Sequence, residues 1–272
     1  MDYLEHYGLK EQPFTNSIDN RFYFNSSQHS EALLRLKYAV NTMKGLAVLL
    51  GDIGTGKTTL ARRMLDELDE AEYESALLVI IHSSITAEWL LKKIAMQLGV
   101  EDVPEDKMNL LGAVYHRLIE INESGKKAVV LIDEAQMLNS REIMEEFRGL
   151  LNLEAPGGKL VSFVFFGLPD FDYALSLDEP LKQRVAIKFR LKSFTPEATH
   201  EYIGHRLHIA GSRGDFFTKD ALLAVHHYSK GIPRLINTIC DNALLDGFLF
   251  KSGTIDEQVI KSVVMDLNLN CG

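Results

Sequence analysis

Two stretches of this 272-residue sequence hold residues whose types and spacing could do chemistry. The first is GDIGTGKT, Gly51 to Thr58. It satisfies GxxxxGK[ST], in which glycines let successive backbone N–H groups turn inward toward phosphate oxygens. The expected nucleotide contacts run through Gly51, Asp52, Ile53, Gly54, Thr55, Gly56, Lys57, Thr58 and Thr59. Lys57 is expected on the terminal phosphates and the Thr58 hydroxyl on Mg²⁺. The second stretch is VVLIDEAQ, Val129 to Gln136, where four apolar residues run into Asp133 and Glu134. Two adjacent carboxylates at a buried strand end are costly unless a cation or a proton-transfer task accounts for them. Phosphate chemistry supplies both: Asp133 would face the Mg²⁺ of an ATP complex, and Glu134 would act as general base on the attacking water. The strand ending in Asp133 is expected beside the strand that feeds the phosphate loop.

The elements that must position these residues are legible as a pattern. LAVLL (Leu46–Leu50) reads as a buried strand and residues 58–68 as a helix, which is the context the phosphate motif requires. Further strands are expected at ALLVIIH (Ala76–His82), AVVLID, LVSFVFF (Leu160–Phe166) and AIKFRL (Ala186–Leu191). Helices are expected at about 87–98, 107–123 and 141–151, the last with Ser140 as N-cap. Apolar strands alternating with helices mean a parallel sheet covered on both faces. After Ser193 only helical pattern remains, at about 196–210, 218–229, 233–249 and 255–267, with Pro196 at a first helical position. The expected organisation is an α/β nucleotide-binding domain over residues 1–192, opened by an aromatic arm, and a small all-helical lid over 193–272.

Composition narrows the alternatives. Hydrophobic residues make up 46% and charged residues 25% of the chain, as in a globular protein with a full core. The net charge of −9 weighs against a surface built for nucleic acid. From Ser193 onward there are 7 Lys/Arg and 9 Asp/Glu, a net of 7 − 9 = −2. Cys240 and Cys271 show no metal or disulfide spacing and are expected as reduced thiols of a cytoplasmic chain. The start, MDYLEHYGLK, carries charges and no apolar core, and no run reaches membrane-spanning length. Five histidines fall in the expected lid, without a ligand set around them.

Beyond the two motifs, YGLKEQPF, FYFNSSQHSEALLRL, GDIGTGKTTLARRML, VVLIDEAQML and the distal HRLHIAGS, YSKGIPRLIN and CDNALL together carry a resemblance. The sequence resembles AAA+ P-loop ATPases, and more closely the general secretion pathway protein A (ExeA-like) ATPases. That resemblance implies ATP and Mg²⁺ as cofactors and a nucleotide-dependent homo-oligomer, of which a ring is one form. It implies that Arg184, in LKQRV, reaches a neighbouring subunit's nucleotide, and that Arg234, in GIPR, reaches the γ-phosphate from the lid. Pro13 and Phe14 of the arm would pack near adenine or simply in a core. It implies service to a bacterial envelope machine, through an inner-membrane secretion, pilus or exopolysaccharide-export component. Relatives often continue into a transmembrane helix and a periplasmic domain, so attachment is expected at the cytoplasmic face, through a partner or a missing C-terminal anchor. The alternative is a DNA-binding AAA+ ATPase that regulates transposition. One departure stands out: where such proteins usually end the fourth strand with a polar residue, this sequence has Leu168.

Overall fold

A computed structural model describes residues 3–17, 19–212 and 214–269. Cys271 lies outside them. The chain opens with α1 (Tyr3–Tyr7) and a 3-10 turn at Asn20–Phe22, then α2 (Ser27–Asn41), β1 (Leu46–Gly51), α3 (Lys57–Asp66) and β2 (Tyr73–Val79). Next come α4 (Ala87–Gln97), α5 (Lys107–Glu123), β3 (Lys127–Asp133), a 3-10 turn at Ala135–Met137 and α6 (Arg141–Leu150). A short antiparallel hairpin pairs β4 (Glu154–Ala155) with β5 (Gly158–Lys159). β6 (Val161–Gly167), α7 (Phe171–Ser176), α8 (Glu179–Lys182) and β7 (Val185–Leu191) follow. The remainder is helical: α9 (Pro196–Ile209), α10 (Lys219–Ser229), α11 (Pro233–Leu249) and α12 (Glu257–Asp266). Among the described residues no helix is long and apolar enough to cross a membrane.

The chain divides into two compact units. The α/β unit comprises Ser27–Asp52 and Lys57–Leu191. Its sheet has five parallel strands in the order β2-β3-β6-β1-β7. The inner strands β1, β3 and β6 are buried along nearly their whole length, which is why they read as continuous apolar runs. The edge strand β7 alternates instead, with Lys188 and Arg190 exposed, a charge pattern that discourages further strand pairing. On one face Val48, Val130, Phe163 and Phe165 pack with Leu91, Leu118 and Phe147 from α4, α5 and α6. Each such buried side chain contributes about 1.5–3 kcal/mol.

Two expectations are corrected here, and a third holds in position only. β3 does not lie beside β1: β6 stands between them and pairs with both. β2 runs Tyr73–Val79 rather than Ala76–His82, because its partner β3 pairs from Lys127 to Asp133 and no further. The apolar Ile81 beyond it is 81% exposed. Ser140 occupies the N-cap of α6, but its side chain makes no capping hydrogen bond.

The helical unit comprises residues up to Ser26, Ile53–Gly56 and Lys192 onward. The aromatic arm therefore groups with the distal helices and not with the sheet. Tyr7, Leu9, Phe14 and Phe22 share one core with Tyr202, Leu207, Ile239 and Leu244. Buried Arg206 of α9 fastens the arm: its guanidinium donates to the Pro13 carbonyl and, at 2.9 Å, to the Thr15 carbonyl. It also lies over the Phe22 ring at 4.9 Å. Tyr202 continues this network to Asn237 at 2.8 Å, and Asn237 to Asn16 at 3.0 Å.

Candidate functional site

The phosphate loop begins where β1 ends at Gly51 and closes where α3 begins at Lys57. Gly54 and Gly56 take φ of +79° and +98°, a region that suits glycine and disfavours side chains. The Lys57 ammonium donates to the carbonyls of Gly51 at 2.9 Å and Asp52 at 3.0 Å. Lys57 is 7% exposed, so its charge is held over the loop rather than in bulk solvent. Thr58 and Thr59 lie half-buried in the first turn of α3, whose N-terminal N–H groups face an anion favourably.

Asp133 is fully buried at the end of β3. Its Oδ1 accepts the Glu134 N–H at 2.9 Å. Its Oδ2 is buried with no hydrogen-bond partner. Burial pushes the Asp133 carboxyl above its ordinary 3.8. A bond from Thr58, the Glu134 amide and the charge of Lys57 act the other way. A buried carboxylate oxygen with no donor, beside a threonine hydroxyl, is a donor set that suits a hard divalent cation such as Mg²⁺. Thr58 and Asp133 therefore fit the metal role, although among the described residues no group of three or more His, Cys, Asp or Glu is placed to hold an ion.

Glu134 follows with φ of +57°, in the left-handed region, which costs a non-glycine residue about 1–2 kcal/mol. Its carboxylate Oε2 accepts from the amide Nε2 of Gln136. The same Gln136 accepts the Leu168 N–H on Oε1 at 3.0 Å. Leu168 thus follows β6 without a polar side chain, as the sequence implies, but its backbone N–H is engaged from the turn after β3. Sequence reasoning missed Gln136. The signal available was its place two residues after Glu134, which says nothing about where an amide reaches.

The remaining expected residues divide. Arg184 is half-buried between α8 and β7, and its guanidinium donates to the Asn152 side chain and, at 3.5 Å, to the Arg148 carbonyl. Both partners lie at the end of α6, a helix terminus that favours a cation. In the helical unit, Arg234 is exposed at the start of α11, and its N–H donates to the Gly54 carbonyl at 3.3 Å. A Cβ on Gly54 would come within 2.9 Å of the Arg234 Cβ, so the glycine also admits this approach. Gly231 sets the helix start: with φ of +70°, its absent Cβ would lie 2.1 Å from the Phe194 carbonyl oxygen. Pro13 and Phe14 are buried, Phe14 at 2% exposure and edge-on to Phe217. Core packing accounts for that ring.

Comparisons with known proteins bear on the family and the fold. The family model described as "AAA domain" matches residues 40–175. General secretion pathway protein A of Aeromonas hydrophila is 35% identical over 249 residues, which is 90% of this chain and 45% of that protein. The chain thus spans about half the length of that relative. Among solved structures, Cdc6p from Pyrobaculum aerophilum superposes with a TM-score of 0.69 at 17% identity, over 93% of this chain and 70% of that one. The Aeropyrum pernix ORC2 protein, solved as ADPNP-ADP complexes, gives 0.66 at 15% identity, over 94% and 71%. At these identities the likeness speaks for the fold: a parallel P-loop sheet flanked by helices, with a helical C-terminal region.

Proposed function

The chain belongs to the AAA domain family, and on that premise we propose that it binds ATP with Mg²⁺ and hydrolyses it to drive or license assembly of a bacterial envelope machine. The observation that carries the catalytic part is the buried Asp133 with its unpartnered Oδ2, in the α/β unit that also carries Lys57, Thr58 and Glu134. Lys57 and the loop N–H groups of Gly51–Thr58 hold the phosphates. Thr58 and Asp133 would hold Mg²⁺, which would offset charge on the phosphoryl oxygens. Glu134 takes a proton from the attacking water as its oxygen bonds to the γ-phosphorus. The bond from that phosphorus to the bridging oxygen breaks, and ADP and phosphate leave. Arg234 reads the γ-phosphate from the helical lid, residues 193–272. Arg184 completes the site of a neighbouring copy, which makes the active form a homo-oligomer.

The envelope assignment rests on the 35% identity along 90% of the chain to a general secretion pathway protein. On this reading the protein acts at the cytoplasmic face of the inner membrane, on a secretion, pilus or polysaccharide-export component. The test is binding of the purified chain to duplex DNA, with and without ATP and Mg²⁺, at low and physiological salt, alongside turnover. ATP hydrolysis without DNA binding at physiological salt supports the reading. ATP-dependent, salt-sensitive DNA binding that stimulates hydrolysis replaces it with the transposition reading.

A further inference from the structure

We propose that Gln136 is the positioning residue for Glu134, supplying from the turn after β3 the polar function that Leu168 cannot supply at the end of β6. The proposal rests on the reading of Glu134 as general base. A glutamate carboxylate beyond a strand end has several staggered rotamers open to it, and a base must sit within hydrogen-bond reach of its water. Here the Gln136 amide takes one carboxylate oxygen, Oε2, and leaves Oε1 to receive the water's proton. The amide is itself anchored. Its own Oε1 accepts the Leu168 N–H at 3.0 Å, which ties it to the strand that lies between β3 and β1. The amide also packs closely at this strand end: a Cβ on Gly167 would stand 3.4 Å from the Gln136 Oε1, at ordinary contact distance.

The chemistry selects glutamine. One end of the amide donates to a carboxylate and the other accepts from an N–H, and a side-chain amide carries these two functions on separate atoms of one uncharged group. A glutamate at this position would still accept from Leu168 but would face Glu134 with a like charge. A methionine would match the length and do neither. The backbone strain at Glu134 fits the same purpose, since it aims the side chain at a site that Gln136 then holds.

The test uses the full chain, with turnover of ATP–Mg²⁺ measured at steady state and, for slow variants, in single turnover with radiolabelled ATP. Gln136→Ala, Gln136→Met and Gln136→Glu are each expected to lower kcat roughly ten- to hundredfold while KM changes little, because misplacing a base costs rate and not binding. Melting temperatures near the wild-type value show that the variants are folded, and Gln136→Met guards against a cavity effect. The decisive reading is the double variant. Glu134→Gln with Gln136→Ala should turn over no more slowly than Glu134→Gln alone, since Gln136 acts only through Glu134. An unchanged kcat in Gln136→Ala overturns the proposal. So does a raised kcat, which would mean that the amide restrains the base. So does a full, independent further loss in the double variant. A wild-type chain that does not hydrolyse ATP, or a Glu134→Gln variant with unchanged turnover, refutes the general-base reading itself and is recognised without any Gln136 variant.

Discussion

Asp133 stands in register with Phe166 of β6, and on its other side Phe166 stands in register with Leu49 of β1. The Asp133 carboxylate and the phosphate loop therefore leave the same edge of the sheet from strands separated by one strand. That spacing puts Gly167 and Leu168 between them, which is why the character of the β6 terminus matters for the site.

The buried Asp133 predicts a trade between stability and function. Its folded pKa is raised, so its favourable contribution is present below the unfolded value near 4 and is lost as pH rises through the folded value. Above the folded value the ionised carboxylate is a net burden. Asp133→Asn keeps an acceptor for the Glu134 N–H and removes the charge. It should melt higher than wild type at pH 7, by about 2–4 °C for each kcal/mol recovered, with the gap closing under acid conditions. Isothermal titration of the same variant should show weakened Mg²⁺-dependent nucleotide affinity. A lower melting temperature at pH 7 would contradict the burden argument.

Lys57→Ala removes the ammonium that the loop holds over its own carbonyls. Nucleotide affinity measured with a fluorescent ATP analogue should fall by about tenfold or more, as for loss of a charge-assisted contact of 1.5–3 kcal/mol.

Glu134→Gln keeps the amide side chain within reach of Gln136 but cannot accept a proton from water. ATP binding should persist while turnover drops by roughly 10²–10⁴. Phosphate release under saturating ATP reports this directly.

Arg184 is held by the Arg148 carbonyl and the Asn152 side chain within its own chain, so Arg184→Ala should lower stability by only about 1 kcal/mol. Its catalytic effect should depend on the neighbour. Mixing Arg184→Ala with Glu134→Gln, each inactive alone, should restore turnover, because one interface then carries both intact groups. Specific activity should also rise with protein concentration, and a flat profile with no recovery on mixing would remove Arg184 from an intersubunit role.

Gly231→Ala should destabilise the helical unit by more than about 2 kcal/mol in urea unfolding, since the new Cβ meets a backbone oxygen and the φ is left-handed. Gly214→Ala, with nothing within 4 Å of the added Cβ, is the matched control.

The sequence by itself determined the phosphate loop, the Asp133–Glu134 pair and the alternation of buried strands with helices. Each of these is local: glycine conformations, a strand-to-helix turn and apolar runs are written into neighbouring residues. Most of the distal helices were legible for the same reason, since Thr195, Thr218 and Asp256 all cap their own helices. Strand order was not legible, because the burial of β1, β3 and β6 is equal and apolar runs do not say which neighbour they take. The partnership of the aromatic arm with α9 was hidden as well: Arg206 meets Pro13 across 193 positions of sequence. Only the tertiary structure decided that β6 enters between the two chemical strands, and that a single amide, Gln136, joins Glu134 to Leu168. Contacts of that kind depend on where a side chain's far end falls after the sheet has assembled, and no spacing along the chain encodes it.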